Sequence, residues 1–196
     1  MSLDNICAVA HFNTFIAPDG LSYITEFSYL DCQERVLNVR IKLPPHTRDY
    51  KQFNNVYSCP TILNRVDGCD EMRLTYLKWI LTRNIWPEII KENPYARIGL
   101  CLGRRDHRQF FRKLSIPTTY ITQNQEIVPN WFVTCLNHKD NASLKCSLAY
   151  TLQLLNYIPS WNRKIFDQIA KSGLAKRPET VDELSLAVQM LDIKEE

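Results

Sequence analysis

The chain has 196 residues, 45% hydrophobic and 11% aromatic, with seven cysteines and a formal net charge of +3 at neutral pH. That is enough apolar material for one domain with a sizeable core and a small appendage. No apolar run approaches the ~18 residues of a membrane span, and the N-terminus lacks the basic-then-apolar pattern of a secretory leader. The sequence therefore predicts an intracellular protein of the cytoplasm and/or nucleus, with no membrane partner.

The cysteines stand at positions 7, 32, 59, 69, 101, 135 and 146. An odd, scattered set in a reducing compartment argues against a disulfide framework, and for buried thiols beside a metal site. Charge is unevenly placed. Thr180–Glu196 holds five acids against Lys194, a net −4, which leaves +7 on the rest. A basic body with an acidic tail is compatible with a polyanionic partner.

In chain order, Asn5–Phe12 reads as a buried strand. Pro18-Asp19-Gly20 is a turn. Ser22–Asp31 and Val36–Leu43 alternate as second and third strands, and Pro44-Pro45 stops the third. These three suggest an antiparallel meander. A loop-rich stretch runs to Gly68, and Asp70–Arg83 reads as a helix. Arg97–Leu102 is a short buried strand ending at Gly103, Arg104–Leu114 a helix, and Tyr120-Ile121 the start of another strand. Cys146–Tyr157 and Ser160–Lys171 are helical, and Thr180-Val-Asp-Glu183 is a capping box opening a last helix to about Leu191.

The sharpest motif is Cys135-Leu-Asn-His138-Lys-Asp-Asn-Ala-Ser-Leu-Lys-Cys146, a C-x2-H-x7-C spacing. Thiolate and imidazole are zinc's preferred donors, and a structural site needs four. Taken alone, these three residues are equally two buried thiols and a hydrogen-bonded histidine. Cys7, Cys32, Cys59, Cys69 and Cys101 show no metal spacing.

The element order resembles the ribonuclease H-like fold of the DnaQ-type (DEDD) exonucleases. That implies an α/β domain, a mixed sheet of about five strands flanked by helices. Those enzymes end their first strand in an Asp-x-Glu-Thr-like motif whose carboxylates bind two catalytic metals. Here the matching tetrapeptide is His11-Phe12-Asn13-Thr14, and both carboxylates are gone. Asp106 alone would stand for the second motif. Hard divalent cations need oxygen ligands, so no two-metal exonuclease activity and no catalytic residue of that kind is expected. Glu26, mid-strand among apolar neighbours, needs a partner. In such a sheet it neighbours the first strand, where it would close a tetrahedron with Cys135, His138 and Cys146.

This set resembles the MAEL domain of the Maelstrom family, an exonuclease-like fold without its carboxylates and with a Glu-His-Cys-Cys zinc constellation. The resemblance covers roughly Ile6 to Tyr157. It implies one structural Zn2+ held by Glu26, Cys135, His138 and Cys146, and single-stranded RNA or RNA-silencing proteins as partners, with a role of the piRNA, transposon-silencing type. The HMG box that Maelstrom proteins generally carry is absent. The expected organisation is a ribonuclease H-like domain over 1–158 and a helical extension over 159–196.

Arg104, Arg108 and Arg112 fall at i, i+4 and i+8, one stripe of a helix, with Arg105, His107 and Lys113 flanking and Phe110, Phe111 and Leu114 turned to the core. The stripe is either a phosphate-binding ridge or a solvated face. Tyr95, Tyr120 and Trp131 are the aromatics that would stack bases, or else sit in the core. Two alternatives stand beside RNA binding. One is a metal-independent single-stranded RNA nuclease using Asp106, His107 and the arginines as general acid/base and phosphate clamps. The other is a protein-interaction module acting through the acidic tail helix.

Overall fold

The structure is a computed structural model and describes residues 5–17, 20–44, 71–122 and 146–158. β1 (Ile6–Ile16), β2 (Ser22–Asp31) and β3 (Val36–Ile41) form the antiparallel meander expected. β1 runs four residues past its expected end at Phe12. β4 (Glu71–Met72) adds to β3 in parallel, a sixth strand beyond the five foreseen. It is two residues long and carries no periodicity to betray it. Its register places Glu71 opposite Arg40, and the two form an ion pair at 3.2 Å.

A continuous helical rod follows: α1 (Leu74–Trp79), a π-helical turn (Ile80–Ile85) and α2 (Trp86–Glu92). The helix expected over Asp70–Arg83 thus begins later and runs nine residues further. Pro87 lies in the first turn of α2. A proline inside a regular helix removes one N–H and crowds the carbonyl four residues back; a widened turn just before it relieves both. β5 (Arg97–Leu100), α3 (Arg105–Lys113) and β6 (Thr118–Tyr120) form a βαβ crossover, with β5 parallel to β1 and β6 parallel to β5. α4 (Ser147–Leu154) ends in a 3-10 turn, Leu155–Tyr157. The strand order is β4-β3-β2-β1-β5-β6. The fold is therefore α/β, a mixed six-stranded sheet with helices on both faces.

Alternation along the strands sorts side chains to two faces. Ala8, Ala10, Phe12, Phe27, Tyr29, Ile98 and Leu100 meet Leu77, Leu81, Ile85, Trp86, Ile89, Phe110 and Phe111. Val9 and Leu30 meet Leu148, Ala149, Leu152 and Leu155 on the other face. Burying each large side chain contributes roughly 2 kcal/mol, so the α4 face holds that helix with fewer apolar groups. Gly99 on β5 lies where a Cβ would come within 2.9 Å of Ile121 and 3.2 Å of Ile6. Only glycine lets β5 sit this close.

No helix among the described residues is long and apolar enough to cross a membrane. The helices expected over Ser160–Lys171 and from Thr180 to about Leu191, and the extension over 159–196, lie outside the described residues.

Candidate functional site

Directly opposed residues on paired strands share a face. The register therefore aligns two polar rows beneath α4: His11–Ser28–Asn38, and Asn13–Glu26–Arg40. His11, Glu26, Ser28 and Arg40 are buried, Glu26 with only 1% of its surface exposed. A carboxylate so placed must be compensated. Glu26 Oε2 accepts the Asn13 side-chain amide at 3.0 Å and the backbone N–H of Ser147 at 2.9 Å. The second bond caps α4 from 121 residues earlier in the chain. Cys146, the N-cap residue, makes no side-chain cap of its own. The orphan N–H groups and positive dipole end of a helix favour an anion there by ~0.3–2 kcal/mol.

A bulge sharpens this arrangement. Pairing steps from Asn13–Glu26 to Thr14–Ile24 and leaves Thr25 extra. The Thr25 hydroxyl donates to the Asn13 carbonyl at 3.2 Å. Extra residues of this kind re-aim their neighbours, and here they set where the Asn13–Glu26 pair ends. The Thr151 hydroxyl donates to the carbonyls of Ser147 and Ser28, at 2.9 and 3.4 Å, pinning α4 to β2.

Of the four expected zinc ligands, Glu26 and Cys146 are brought to the same place, at the first turn of α4, and both are buried. Cys135 and His138 lie outside the described residues. Among the described residues no group of three or more His, Cys, Asp or Glu converges on one point. A carboxylate and a thiol are among the donor types zinc takes, and Cys146 also belongs to the apolar cluster with Ile6, Val9 and Leu148.

His11 and Asn13 lie in the same rows. His11 stacks on Tyr150, ring centroids 4.5 Å apart, and lies 4.8 Å from His107. Neither of its ring nitrogens has a hydrogen-bond partner of normal geometry. Burial holds this imidazole well below its usual 6.5, aided by His107 and Arg104 and opposed by Asn13.

His107, read from sequence as a flank of the arginine stripe, is instead fully buried. β5 pairs only with the first half of β1, so the Phe12 N–H lies beyond the end of that ladder. His107 Nε2 accepts it at 3.0 Å, while Nδ1 faces the Asp106 carboxylate at 3.0 Å. This fixes the neutral Nδ1–H tautomer. Burial lowers the His107 pKa, with Asp106 resisting. Burial would raise Asp106, but its bond to His107 and the charges of His107 and Arg104 win and lower it. No sequence signal marks His107, because its role depends on where β5 stops.

On α3, Phe110 and Phe111 are buried as expected, and Arg105, Arg108, Arg112 and Lys113 are exposed. Arg104 is half-buried at the N-cap. Arg108 lies over the Tyr120 ring at 5.7 Å. Lys113 turns away from the arginine stripe toward a cavity shared with Asp106 and Gln109. Tyr95 is 74% exposed, and Trp131 lies outside the described residues. Trp79, within the helix expected over Asp70–Arg83, is 49% exposed and stacks on Tyr76, itself 54% exposed, with ring centroids 5.7 Å apart.

Compared with protein-family models, curated proteins and solved structures, the chain matches none.

Proposed function

We propose that this chain is a zinc-stabilised, catalytically degenerate domain of ribonuclease H-like, DnaQ-type ancestry. It resembles a MAEL domain and binds single-stranded RNA or proteins of a piRNA-type silencing pathway. The observation that carries the reading is the reach of Glu26 from mid-sheet to the N-terminus of α4, beside Cys146. A buried carboxylate and a buried thiol at one helix start are what the Glu26–Cys135–His138–Cys146 set requires. Four protein donors would leave no position for an activated water, so the metal's role is to tie α4 to the sheet.

Support for degeneracy comes from the same rows. His11 and Asn13 occupy the positions of the lost carboxylates, and Asp106 is engaged with His107. The exposed arginines of α3 support a phosphate contact. The nuclease alternative is not favoured. A general base must reach its substrate's proton, and both nitrogens of His107 are used inside the protein.

Elemental analysis of the purified protein beside Glu26→Ala and Cys135→Ser tests the reading. One zinc per chain is expected in the wild type, lost in both variants together with thermal stability. A stable wild-type protein without zinc would remove the metal centre and the MAEL-like reading with it.

A further inference from the structure

On the sheet face opposite α4, a cavity of ≈ 490 Å³ opens between the far ends of β1, β2 and β3 and the helices α1 and α3. Its volume falls in the ~300–1,000 Å³ range of small-molecule sites. Apolar and aromatic groups form its walls, Phe12, Tyr23, Ile24 and Phe110 among them. Three cations reach it from three elements: Lys42 just past β3, Lys78 on α1 and Lys113 in the last turn of α3. None of the three forms an ion pair with a described residue, and among the described residues the only acid on the lining is Asp106. On α3, positions 106, 109/110 and 113 make one stripe, separate from the 104/108/112 stripe.

The composition of this lining narrows the ligand. Among the described lining residues, three lysines against one carboxylate leave a net +2, matching a phosphate monoester, about −1.5 to −2 at neutral pH. A bare phosphate would leave the aromatic walls unused. A fatty acid would leave Gln109 and Ser22 unused. A flat heteroaromatic ring with N–H donors, joined to a phosphate, uses all of them, because rings stack on aromatic side chains and ammonium groups hold phosphate oxygens. We propose that this cavity binds a heteroaromatic phosphate monoester, the chemistry of a nucleoside monophosphate. The ring lies against the aromatic wall and the phosphate faces Lys42, Lys78 and Lys113. The inference stands on this face alone and does not depend on zinc or on the arginine stripe.

Calorimetric titration of the full chain with AMP, GMP, CMP and UMP tests it, with the matching nucleosides, inorganic phosphate and laurate as comparisons. At least one monophosphate is expected to bind one to one, about tenfold or more tighter than its nucleoside and than phosphate, since each part contributes separately. The double change Lys42→Ala/Lys78→Ala should weaken it about tenfold, and Leu74→Trp should block it. Both variants are first checked for wild-type thermal melting, and the lysine pair suffices if the tryptophan variant misfolds. The triple change Arg104→Ala/Arg108→Ala/Arg112→Ala should leave mononucleotide binding intact. Monophosphate binding no tighter than phosphate, binding unaffected by the lysine changes, laurate bound in preference, or loss only in the arginine variant would each overturn the proposal.

Discussion

Glu26 shows how one side chain can be unremarkable locally and decisive in the fold. In the sequence it is a carboxylate in an alternating strand, and a solvent-facing position on an edge strand would look the same. Register puts it in the buried face, and α4 supplies the N–H that makes burial tolerable. His11 and His107 carry a second consequence at this scale. Both are held neutral inside, while in the unfolded chain they protonate near pH 6.5. Below that pH the unfolded state binds more protons than the native state, so stability is complete above about pH 7.5 and falls as pH drops through 6.5. Arg104 and Asp106 face these rings and enter the balance; Asp106, being lowered, adds its own loss only below its usual 3.8. Urea unfolding at pH 7.5 and 5.5 should differ by about 1–3 kcal/mol. His11→Phe, which keeps the ring on Tyr150 but removes one titration, should shrink the difference. Gly99 makes a simpler case: Gly99→Ala is expected to cost about 1–3 kcal/mol in the same assay, because Ile121 and Ile6 must give way.

Among the elements, α3 was the most legible, since a cationic stripe opposite paired phenylalanines specifies which side faces inward. Its use is a separate matter. The triple change Arg104→Ala/Arg108→Ala/Arg112→Ala is expected to weaken single-stranded RNA binding and to flatten its salt dependence by about two units of log–log slope, at ~0.7 per phosphate contact. Unchanged affinity would make the stripe a solvated face. The rod α1–π–α2 was less legible. Its apolar pattern breaks where the turn widens, because a π turn advances residues by a different angle, and a pattern scored at 3.6 residues per turn ends there. Trp79 lies before that turn, two residues from the buried Leu77 in regular helix, and so falls on the opposite side of α1, facing outward onto Tyr76. β4 escaped notice because two residues cannot show a period of two.

For the molecule as a whole, the two sheet faces differ in what holds them. The α1–α3 face is secured by a large apolar set including six buried aromatic side chains, Phe12, Phe27, Tyr29, Trp86, Phe110 and Phe111. The α4 face has apolar packing at one end and polar rows at the other. A metal at the polar end would therefore contribute most to the attachment of α4. Treating the wild type with a zinc chelator is expected to lower its stability by about 3 kcal/mol or more, and to bring its melting temperature to that of Cys135→Ser, which the chelator should leave unmoved. Equal melting of all samples with and without chelator would show that α4 is held by Glu26 and apolar packing alone.

The sequence by itself determined the strands of the meander, β5 and α3, the amphipathic sense of α3, and the absence of paired carboxylates over His11–Thr14, while β6 begins two residues before its expected start at Tyr120. These are local matters: backbone geometry repeats every two or 3.6 residues, and neighbouring side chains record it. Tertiary structure alone decided that Glu26 reaches Ser147, that His107 completes the ladder past the end of β5, and that three lysines from separate elements face one cavity. Such meetings depend on strand register, on a one-residue bulge and on where a partner strand stops. Each joins residues tens of positions apart, whose proximity leaves no trace in the local pattern of either.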